Sequence, residues 1–380
     1  MFKSVILMVL FFPFCISLDI LAPNQLIKDG QSLISKEKKN HLRLFSPSNS
    51  SHRYLGIWYV KVKNQTVVWV ANRNDPINDS SRVLSINQFG NLVLHDSSNC
   101  LIWSTNVSIK GTTITSSIAQ LQDSANLVLV QDNNQKVLLW QSFDYPTDTL
   151  LPKMKLCVNL ITGLDKFLTS WKSQVDPRSG ACFYNMIISG SPEGFVYKGS
   201  TPYWQLGPWP WRSSSLATAI ATTSSGYTID FVKNKDEVSY AYFLDDPYII
   251  SRLVVDNSGL LQQLMWNEAN LQWKETSSVP KYRCDKYGQC GAYSKCKLEN
   301  SNRFDYMCLL GYEPKSLRDW YLRDGFEGCV REKLGMSMCG NGEGFVKVQH
   351  LKGLDSANAA WMDMSMSSSS VSKHAWWEFK

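Results

Sequence analysis

"QFGNLVLHD" (residues 88–96) returns 35 residues later as "DSANLVLVQD" (residues 123–132). A tryptophan follows each copy, Trp103 in "CLIWSTN" and Trp140 in "VLLWQSF". An earlier one, Trp69 in "TVVWVAN", follows the apolar run "YLGIWYV". The tryptophans are 34 and 37 residues apart, which indicates three rounds of one unit in the first 150 residues.

Short apolar runs alternate with turn-like segments throughout this region. In "RVLSINQFGNLVLHDSSNCLIWSTN" (residues 82–106), a Gly turn and an Asp-Ser-Ser-Asn turn separate three strand-like runs. Three such rounds predict a prism-like β-domain in which each round contributes one sheet. The three tryptophans are expected to meet in a shared core.

A second β-rich region is predicted from residue 160 to 279. Its strands are "GYTIDFV", "EVSYAYFL" and "ISRLVVDNSGLLQQLMW", with "DNSG" as a hairpin loop. From Cys284 onward, "CDKYGQCGAYSKC" is followed by Cys308 and Cys329, with little apolar sequence to fill a core. A disulfide-stapled module is therefore expected, and the cysteine spacing does not favour zinc.

Charge and the N-terminus indicate the compartment. The net charge of +6 is mild and the basic residues are scattered, so nucleic acid is not an expected partner. Lys3, the apolar "VILMVLFFPF" and a small-residue zone at Cys15 to Ser17 predict a signal peptide over residues 1–17. No later apolar run is long enough for a membrane span, so a secreted or extracellular protein is expected.

Secretion changes how cysteines and asparagines are interpreted. An oxidising compartment favours disulfides over free thiols. Four sequons, all between residues 49 and 108, predict N-glycosylation at Asn49, Asn64, Asn78 and Asn106.

No motif predicts catalysis, a cofactor or a metal site. Asp144 and Asp148 lie beside a proline in turn-forming sequence, and closeness along the chain does not create the opposed geometry of a glycosidase pair. The stretch "GNGEGF" has Phe345 at its sixth position and is not a phosphate-binding loop. Kinase signatures do not occur in the sequence. We therefore expect no catalytic residues and no enzyme activity.

Eight strings together carry a family resemblance: "GIWY", "TVVWVANR", "GNLVL", "LWQSFDYPTDTLLP", "LTSWKS", "CDKYGQCG", "GYEPKS" and "GCVR". In this order, over roughly residues 19–366, the chain resembles the ectodomain of plant S-domain (G-type, bulb-type lectin) receptor-like serine/threonine kinases and the S-locus glycoproteins. The resemblance implies an all-β chain of tandem β-prism lectin-like domains, followed by a small disulfide-rich EGF-like module and an incomplete PAN/apple domain. The implied domains are a bulb-type mannose-lectin-like domain (18–150), an S-locus glycoprotein domain (151–279), an EGF-like module (280–330) and a truncated PAN/apple segment with its tail (331–380).

The resemblance also implies a function. Family members recognise pollen or defence signals at the cell surface, so a mannose-type glycan or peptide ligand and an S-domain receptor kinase partner are expected. The sequence departs from the family because no membrane span or kinase follows, and because Arg43 in "HLRLFSP" lies on a strand expected to be buried. The alternatives are a truncated fragment that binds no ligand and a decoy that pairs with a full-length receptor kinase.

The repeated stretch corresponds to the sugar motif of monocot bulb lectins, Gln-x-Asp-x-Asn-x-Val-x-Tyr. The first copy has Asn87, Phe89, Asn91, Val93 and His95 at these positions, and the second copy has Gln122, Ser124, Asn126, Val128 and Val130. The acidic residue and the tyrosine are missing from both copies. A millimolar site has about 4 kcal/mol of binding free energy, and two lost hydrogen bonds at about 1 kcal/mol each remove much of it. Both copies are therefore expected to be scaffold elements, with the second copy the better sugar-site candidate.

The family's growth-factor-like module implies disulfides Cys284–Cys296 and Cys308–Cys329. Tyr306 stands where the partner of Cys290 is expected, so Cys290 is predicted to be unpaired. Cys339 is predicted to be unpaired because its PAN partners are not in this sequence. Cys100, Cys157 and Cys182 match no family position, and their pairing stays open.

Overall fold

The computed structural model describes residues 19–48, 50–63, 65–78, 83–108, 117–131, 136–188, 192–206, 226–299 and 303–332. The predicted signal peptide, Asn49, Asn64, Cys339 and nearly all of the predicted PAN/apple segment lie outside these residues. The chain divides into two compact units, residues 1–142 and 143–380. None of the helices in the described ranges is long and apolar enough to span a bilayer.

The first unit contains three four-stranded antiparallel sheets. Its strands are β1 (Ile20–Leu21), β2 (Leu26–Lys28), β3 (Ser32–Ile34), β4 (Asn40–Phe45), β5 (Tyr54–Tyr59), β6 (Val67–Val70), β7 (Val83–Ile86), β8 (Leu92–His95), β9 (Leu101–Ser104), β10 (Ser117–Leu121), β11 (Leu127–Gln131) and β12 (Val137–Gln141). The strand orders are β3-β4-β5-β6 in the first sheet, β2-β7-β8-β9 in the second and β1-β10-β11-β12 in the third. Each round thus supplies three consecutive strands of one sheet, and the segment 20–34 adds an edge strand to each.

The predicted tryptophan core is confirmed. Trp69, Trp103 and Trp140 come from the last strand of the first, second and third sheets, and their ring centroids are 6.0, 6.0 and 5.7 Å apart. The ring planes meet at 66–76°, an edge-to-face arrangement in all three pairs. Such pairs contribute about 0.5–1.5 kcal/mol each beyond the burial of their area. This tryptophan triad joins the three sheets.

The same strand register recurs around the triad. The three tryptophans lie opposite Ile57, Leu94 and Leu129, and in each sheet the register shifts at the very next residue. A bulge of this kind increases the local twist of the strand. Each sheet therefore carries its tryptophan at an equivalent position.

Strand β4 is largely buried, and its exposed residue is Arg43. Leu42 and Leu44 lie in the core, whereas Arg43 between them is exposed. Successive side chains of a strand point to opposite faces of the sheet. Arg43 thus lies on a largely buried strand, as expected, but its own side chain is on the surface.

The second unit begins with another three four-stranded antiparallel sheets. Its strands are β13 (Thr149–Leu150), β14 (Leu156–Asn159), β15 (Asp165–Lys166), β16 (Leu168–Ser173), β17 (Asp176–Ile187), β18 (Glu193–Lys198), β19 (Thr201–Gln205), β20 (Tyr227–Lys233), β21 (Glu237–Leu244), β22 (Ser251–Val255), β23 (Leu261–Asn267) and β24 (Gln272–Val279). They are ordered β13-β22-β23-β24, β15-β14-β21-β20 and β16-β17-β18-β19. The predicted "DNSG" hairpin is confirmed, because Asp256 accepts backbone hydrogen bonds from Ser258 and Leu260 at 2.8 Å between β22 and β23.

The C-terminal part of the second unit is small and disulfide-bonded. It contains β25 (Ser294–Glu299), β26 (Arg303–Cys308), β27 (Tyr312–Pro314), β28 (Cys329–Arg331) and one short helix, α1 (Leu317–Tyr321). Disulfides join Cys284 to Cys296 and Cys308 to Cys329, the two pairs that the family resemblance implied, and neither includes Cys290. The assignment of this region as an EGF-like module, like the predicted domain boundaries, stays a prediction.

Three further cysteines belong to neither disulfide. Cys157 and Cys182 are buried, and Cys100 is exposed. Burial raises the pKa of the Cys157 and Cys182 thiols. Both are therefore neutral thiols near pH 7 and pack as small apolar side chains.

Replacement of one triad ring tests its role in the fold. Trp140→Ala is expected to lower the free energy of unfolding of the first unit by about 3–5 kcal/mol, because it opens a cavity where three sheets meet. Leu138→Ala, on the same strand but 50% exposed, is expected to change it by less than about 0.5 kcal/mol. Urea denaturation followed by far-ultraviolet circular dichroism measures both. Equal unfolding midpoints for the two variants would contradict the role of the triad.

Candidate carbohydrate-binding site

Both copies of the sugar motif begin with the same backbone turn. In the first copy, Gly90 N–H donates to the Asn87 carbonyl and Asn87 N–H to the Asn91 carbonyl, each at 2.9 Å. In the second copy, Ala125 and Gln122 make the equivalent bonds at 3.0 and 2.9 Å. Gly90 and Ala125 share a positive φ, of 75° and 68°. The turns connect β7 to β8 and β10 to β11 and place the motif at equivalent positions of two sheets.

Asn91 of the first copy is directed into the protein. Its side chain is 8% exposed, and its Oδ1 accepts hydrogen bonds from Val107 N–H at 2.6 Å and from the Thr105 hydroxyl at 2.9 Å. Its Nδ2 donates to the Val107 carbonyl at 3.0 Å. Both ends of the amide therefore hold the chain segment that follows β9.

Asn126 of the second copy also forms hydrogen bonds within the protein through both ends of its amide, with different partners. It is 5% exposed, its Nδ2 donates to Gln141 Oε1 at 2.9 Å, and its Oδ1 accepts from the Ser142 hydroxyl at 3.1 Å. The Ser142 oxygen in turn accepts a hydrogen bond from Leu127 N–H at 2.9 Å. The segment after β12 is thus tied to the start of β11.

The apolar motif positions are also covered. Val93 and Val128 are 1% and 3% exposed, so little of either side chain is available to lie beneath a sugar ring. At the acidic position, the first copy presents the exposed ring of Phe89 and the second copy presents Ser124. Neither side chain replaces the lost carboxylate.

Among the five candidate sugar ligands, Gln122 is the exposed one. Its Oε1 accepts a hydrogen bond from the Ser124 hydroxyl at 3.4 Å. The turn around it is held by the first sheet, because Asn40 Nδ2 donates to the Asp123 carbonyl at 2.9 Å. Asp123 Oδ1 also accepts from Glu37 N–H at 2.9 Å. The second copy therefore presents one exposed amide on an ordered turn, and the residues that order it were not identified from the sequence.

Two of the four predicted glycosylation sites lie within the described residues. Asn106 is exposed after β9 with a φ of 51°, and its neighbour Val107 is the residue held by Asn91. Asn78 is exposed, and its Oδ1 lies 2.5 Å from His52 Nδ1. Both side chains lie on the surface, as glycan attachment requires.

Two family models match the chain. The model described as D-mannose binding lectin matches residues 66–172, and the model described as S-locus glycoprotein domain matches residues 204–316. A snowdrop bulb agglutinin complexed with methyl-α-D-mannoside aligns with 31% of this chain and 93% of its own at 21% identity, with a TM-score of 0.24. Together with the strand topology, the family matches define the class of the protein, an all-β lectin-like chain with an S-locus glycoprotein domain.

Two relatives show the family to which this chain belongs. A G-type lectin S-receptor-like serine/threonine-protein kinase of Arabidopsis thaliana is 40% identical over 93% of this chain and 42% of its own length. An S-locus-specific glycoprotein of Brassica oleracea var. alboglabra is 36% identical over 90% of this chain and 77% of its own length. The chain belongs to the family formed by the S-locus glycoproteins and the S-domain receptor-like kinases. It spans about two fifths of the receptor kinases that it matches.

Truncation of the motif asparagines tests whether they belong to the scaffold. Asn126→Ala is expected to lower the free energy of unfolding by about 1–3 kcal/mol, because the buried Ser142 hydroxyl loses its acceptor. Asn91→Ala is expected to have a similar effect, since it leaves Val107 N–H without its acceptor.

Gln122→Ala is the matched control for these two variants. Its exposed amide should contribute less than about 0.5 kcal/mol to stability. Chemical denaturation of the three variants decides the question. If Asn91→Ala and Asn126→Ala are as stable as Gln122→Ala, the asparagines are not scaffold residues.

Proposed function

We propose that this protein is an extracellular recognition ectodomain that binds its ligand through β-sheet surfaces and has no catalytic activity of its own. The observation that carries the proposal is the 36% identity to an S-locus-specific glycoprotein of which the chain covers 77%. The matches to a mannose-lectin model and an S-locus glycoprotein model also support it. Recognition of pollen or of defence signals is the corresponding biological role.

Secretion and N-glycosylation are part of this proposal. An apolar stretch with a basic start precedes residue 18, and the sequon residues Asn78 and Asn106 are exposed. Two disulfides in the C-terminal region are typical of an oxidising compartment.

Expression in plant cells with the native N-terminus tests the compartment. The protein is expected in the extracellular fluid, and enzymatic deglycosylation should lower its apparent mass. Asn106→Gln should remove the mass of one glycan, whereas Asn270→Gln, an exposed asparagine outside any sequon, should not. A cytosolic chain without glycans would contradict the proposal.

Mannose binding through the two motif copies is proposed to be weak or absent. The amides of Asn91 and Asn126 are bonded within the protein, and the Val93 and Val128 side chains are covered. One exposed amide at Gln122 leaves too few contacts for more than a millimolar affinity, about 4 kcal/mol.

A mannan column tests this directly. The wild-type protein should elute with the unbound fraction, and Gln122→Ala should elute at the same volume. Retention that free mannose reverses, and that Gln122→Ala abolishes without loss of stability, would show that the second copy is a working sugar site.

A decoy role is the second candidate. It is favoured by the 40% identity to a receptor kinase over 93% of this chain, because related ectodomains present similar surfaces for pairing. Co-purification of a full-length S-domain receptor kinase with the secreted protein from plant membranes would distinguish a decoy from an independent ligand binder.

A further inference from the structure

The outer face of the first sheet differs chemically from the outer faces of the second and third sheets, which carry the two motif copies. Strand pairing places His41 opposite Trp58, Arg43 opposite Gly56 and Phe45 opposite Tyr54. The intervening residues of β4 point into the core toward the tryptophan triad. The side chains of His41, Arg43, Phe45 and Trp58 therefore define one surface, which we call the first-sheet face.

This face occupies the position that the sugar motif has in the other sheets. The residues opposite the triad tryptophans are Ile57, Leu94 and Leu129, so the preceding residues Gly56, Val93 and Val128 are equivalent. Gly56 thus stands where the other two sheets have the motif valine. The first sheet has no copy of the motif, but Gly56 has the same place in the strand register as the motif valines.

Aromatic rings fill the space that the missing side chain leaves. A Cβ on Gly56 would come within 2.6 Å of the Phe45 ring, so this ring lies directly over the glycine. The Phe45 ring centroid is 6.0 Å from that of Trp58, and the His41 ring centroid is 5.9 Å from that of Trp58. Phe45 is buried while Trp58 and His41 are partly exposed. The face therefore has an aromatic floor that is accessible at the indole.

Polar groups without partners lie beside this floor. Arg43 is exposed, and it makes no ion pair within the described residues. His41 Nδ1 is buried and has no hydrogen-bond partner in the described part of the chain. Burial, and to a lesser degree the charge of Arg43, lowers the pKa of His41. The imidazole is therefore neutral near pH 7 and adds no positive charge to that of Arg43.

We propose that the first-sheet face binds an acidic sugar, with the pyranose ring on Trp58 and its carboxylate on Arg43. The planar guanidinium pairs with a carboxylate through two parallel hydrogen bonds, and the C–H face of a pyranose packs against an aromatic ring. A neutral hexose would leave the guanidinium unused, so the charge favours a uronate. The inference rests on the proposed recognition role and names a ligand class for it, but it does not depend on either copy of the mannose motif.

The experiment is calorimetric titration of the secreted protein with an oligogalacturonate and with the same oligomer after full methyl esterification. Esterification removes the carboxylate charge and leaves the sugar rings intact. Binding is expected for the free acid and not for the ester. Arg43→Gln should weaken binding about 10-fold or more, because it removes a charge-assisted hydrogen bond.

Two further variants separate a built site from general attraction of a polyanion. Lys61→Gln removes an exposed charge outside the first-sheet face and should change the affinity less than about twofold. Trp58→Leu should weaken binding of the free acid through loss of the ring. Thermal unfolding of each variant checks that the fold is retained, and Arg43→Gln is expected to melt with the wild-type protein because Arg43 is exposed.

Several results would overturn the proposal. These are no binding of the free acid, equal binding of the ester, and equal losses in Arg43→Gln and Lys61→Gln. Binding of an oligoglutamate in place of the oligogalacturonate would assign the face to an acidic peptide instead. Each of these outcomes would leave the proposed extracellular recognition role intact. That role would instead be contradicted by a chain found in the cytosol without glycans.

Discussion

The tryptophan triad is the constraint on which the first unit depends. Three large rings meet edge to face with centroids about 6 Å apart, and each comes from a different sheet. For three rings to reach one point, each sheet must present its tryptophan at the same strand position and with the same local twist. The repeated register and the bulge beside each tryptophan satisfy this requirement.

A second repeated contact follows from the first. The backbone N–H groups of Leu55, Leu92 and Leu127 lie two residues before the positions opposite the tryptophans, and each donates to a side-chain oxygen after the last strand of its sheet. The acceptors are Asn72, Thr105 and Ser142. Asn91 and Asn126 belong to this network, because each accepts a hydrogen bond from one of these hydroxyls. The interior is thus repeated three times, while the outer faces differ enough for one of them to carry Arg43 and Trp58.

Much of this architecture could be predicted from the sequence. The spacing of Trp69, Trp103 and Trp140 indicated three rounds and a shared core, because large aromatic side chains at a regular interval have one efficient place to pack. The edge strands within residues 20–34 gave no such signal, since pieces of two or three residues show no periodicity. β1 pairs with β10 and β2 pairs with β7, strands that are far apart along the chain, and these two pairings are visible only in the fold. β3 pairs with the adjacent strand β4.

The candidate sugar site could be predicted from the sequence only in part. The resemblance identified Asn91 and Asn126 and showed which motif residues were missing. It did not show that the two amides bond to residues 14 to 16 positions away, which leaves Gln122 as the exposed member. The exposure of Arg43 was missed for a related reason, since the sequence of one strand does not say which neighbours cover its two faces.

The sequence by itself determined the all-β class, the threefold repeat, the family and the loss of the acidic and tyrosine positions of the motif. These depend on residue identity and on spacing along the chain. Only the tertiary structure decided which polar groups form hydrogen bonds in the interior and which are exposed. It also decided that the Phe45 ring packs against Gly56 on the first-sheet face. Those properties depend on how the strands pair and on which distant segments cover each face of a sheet. Local turns help to set the register, but the covering segments come from elsewhere in the chain.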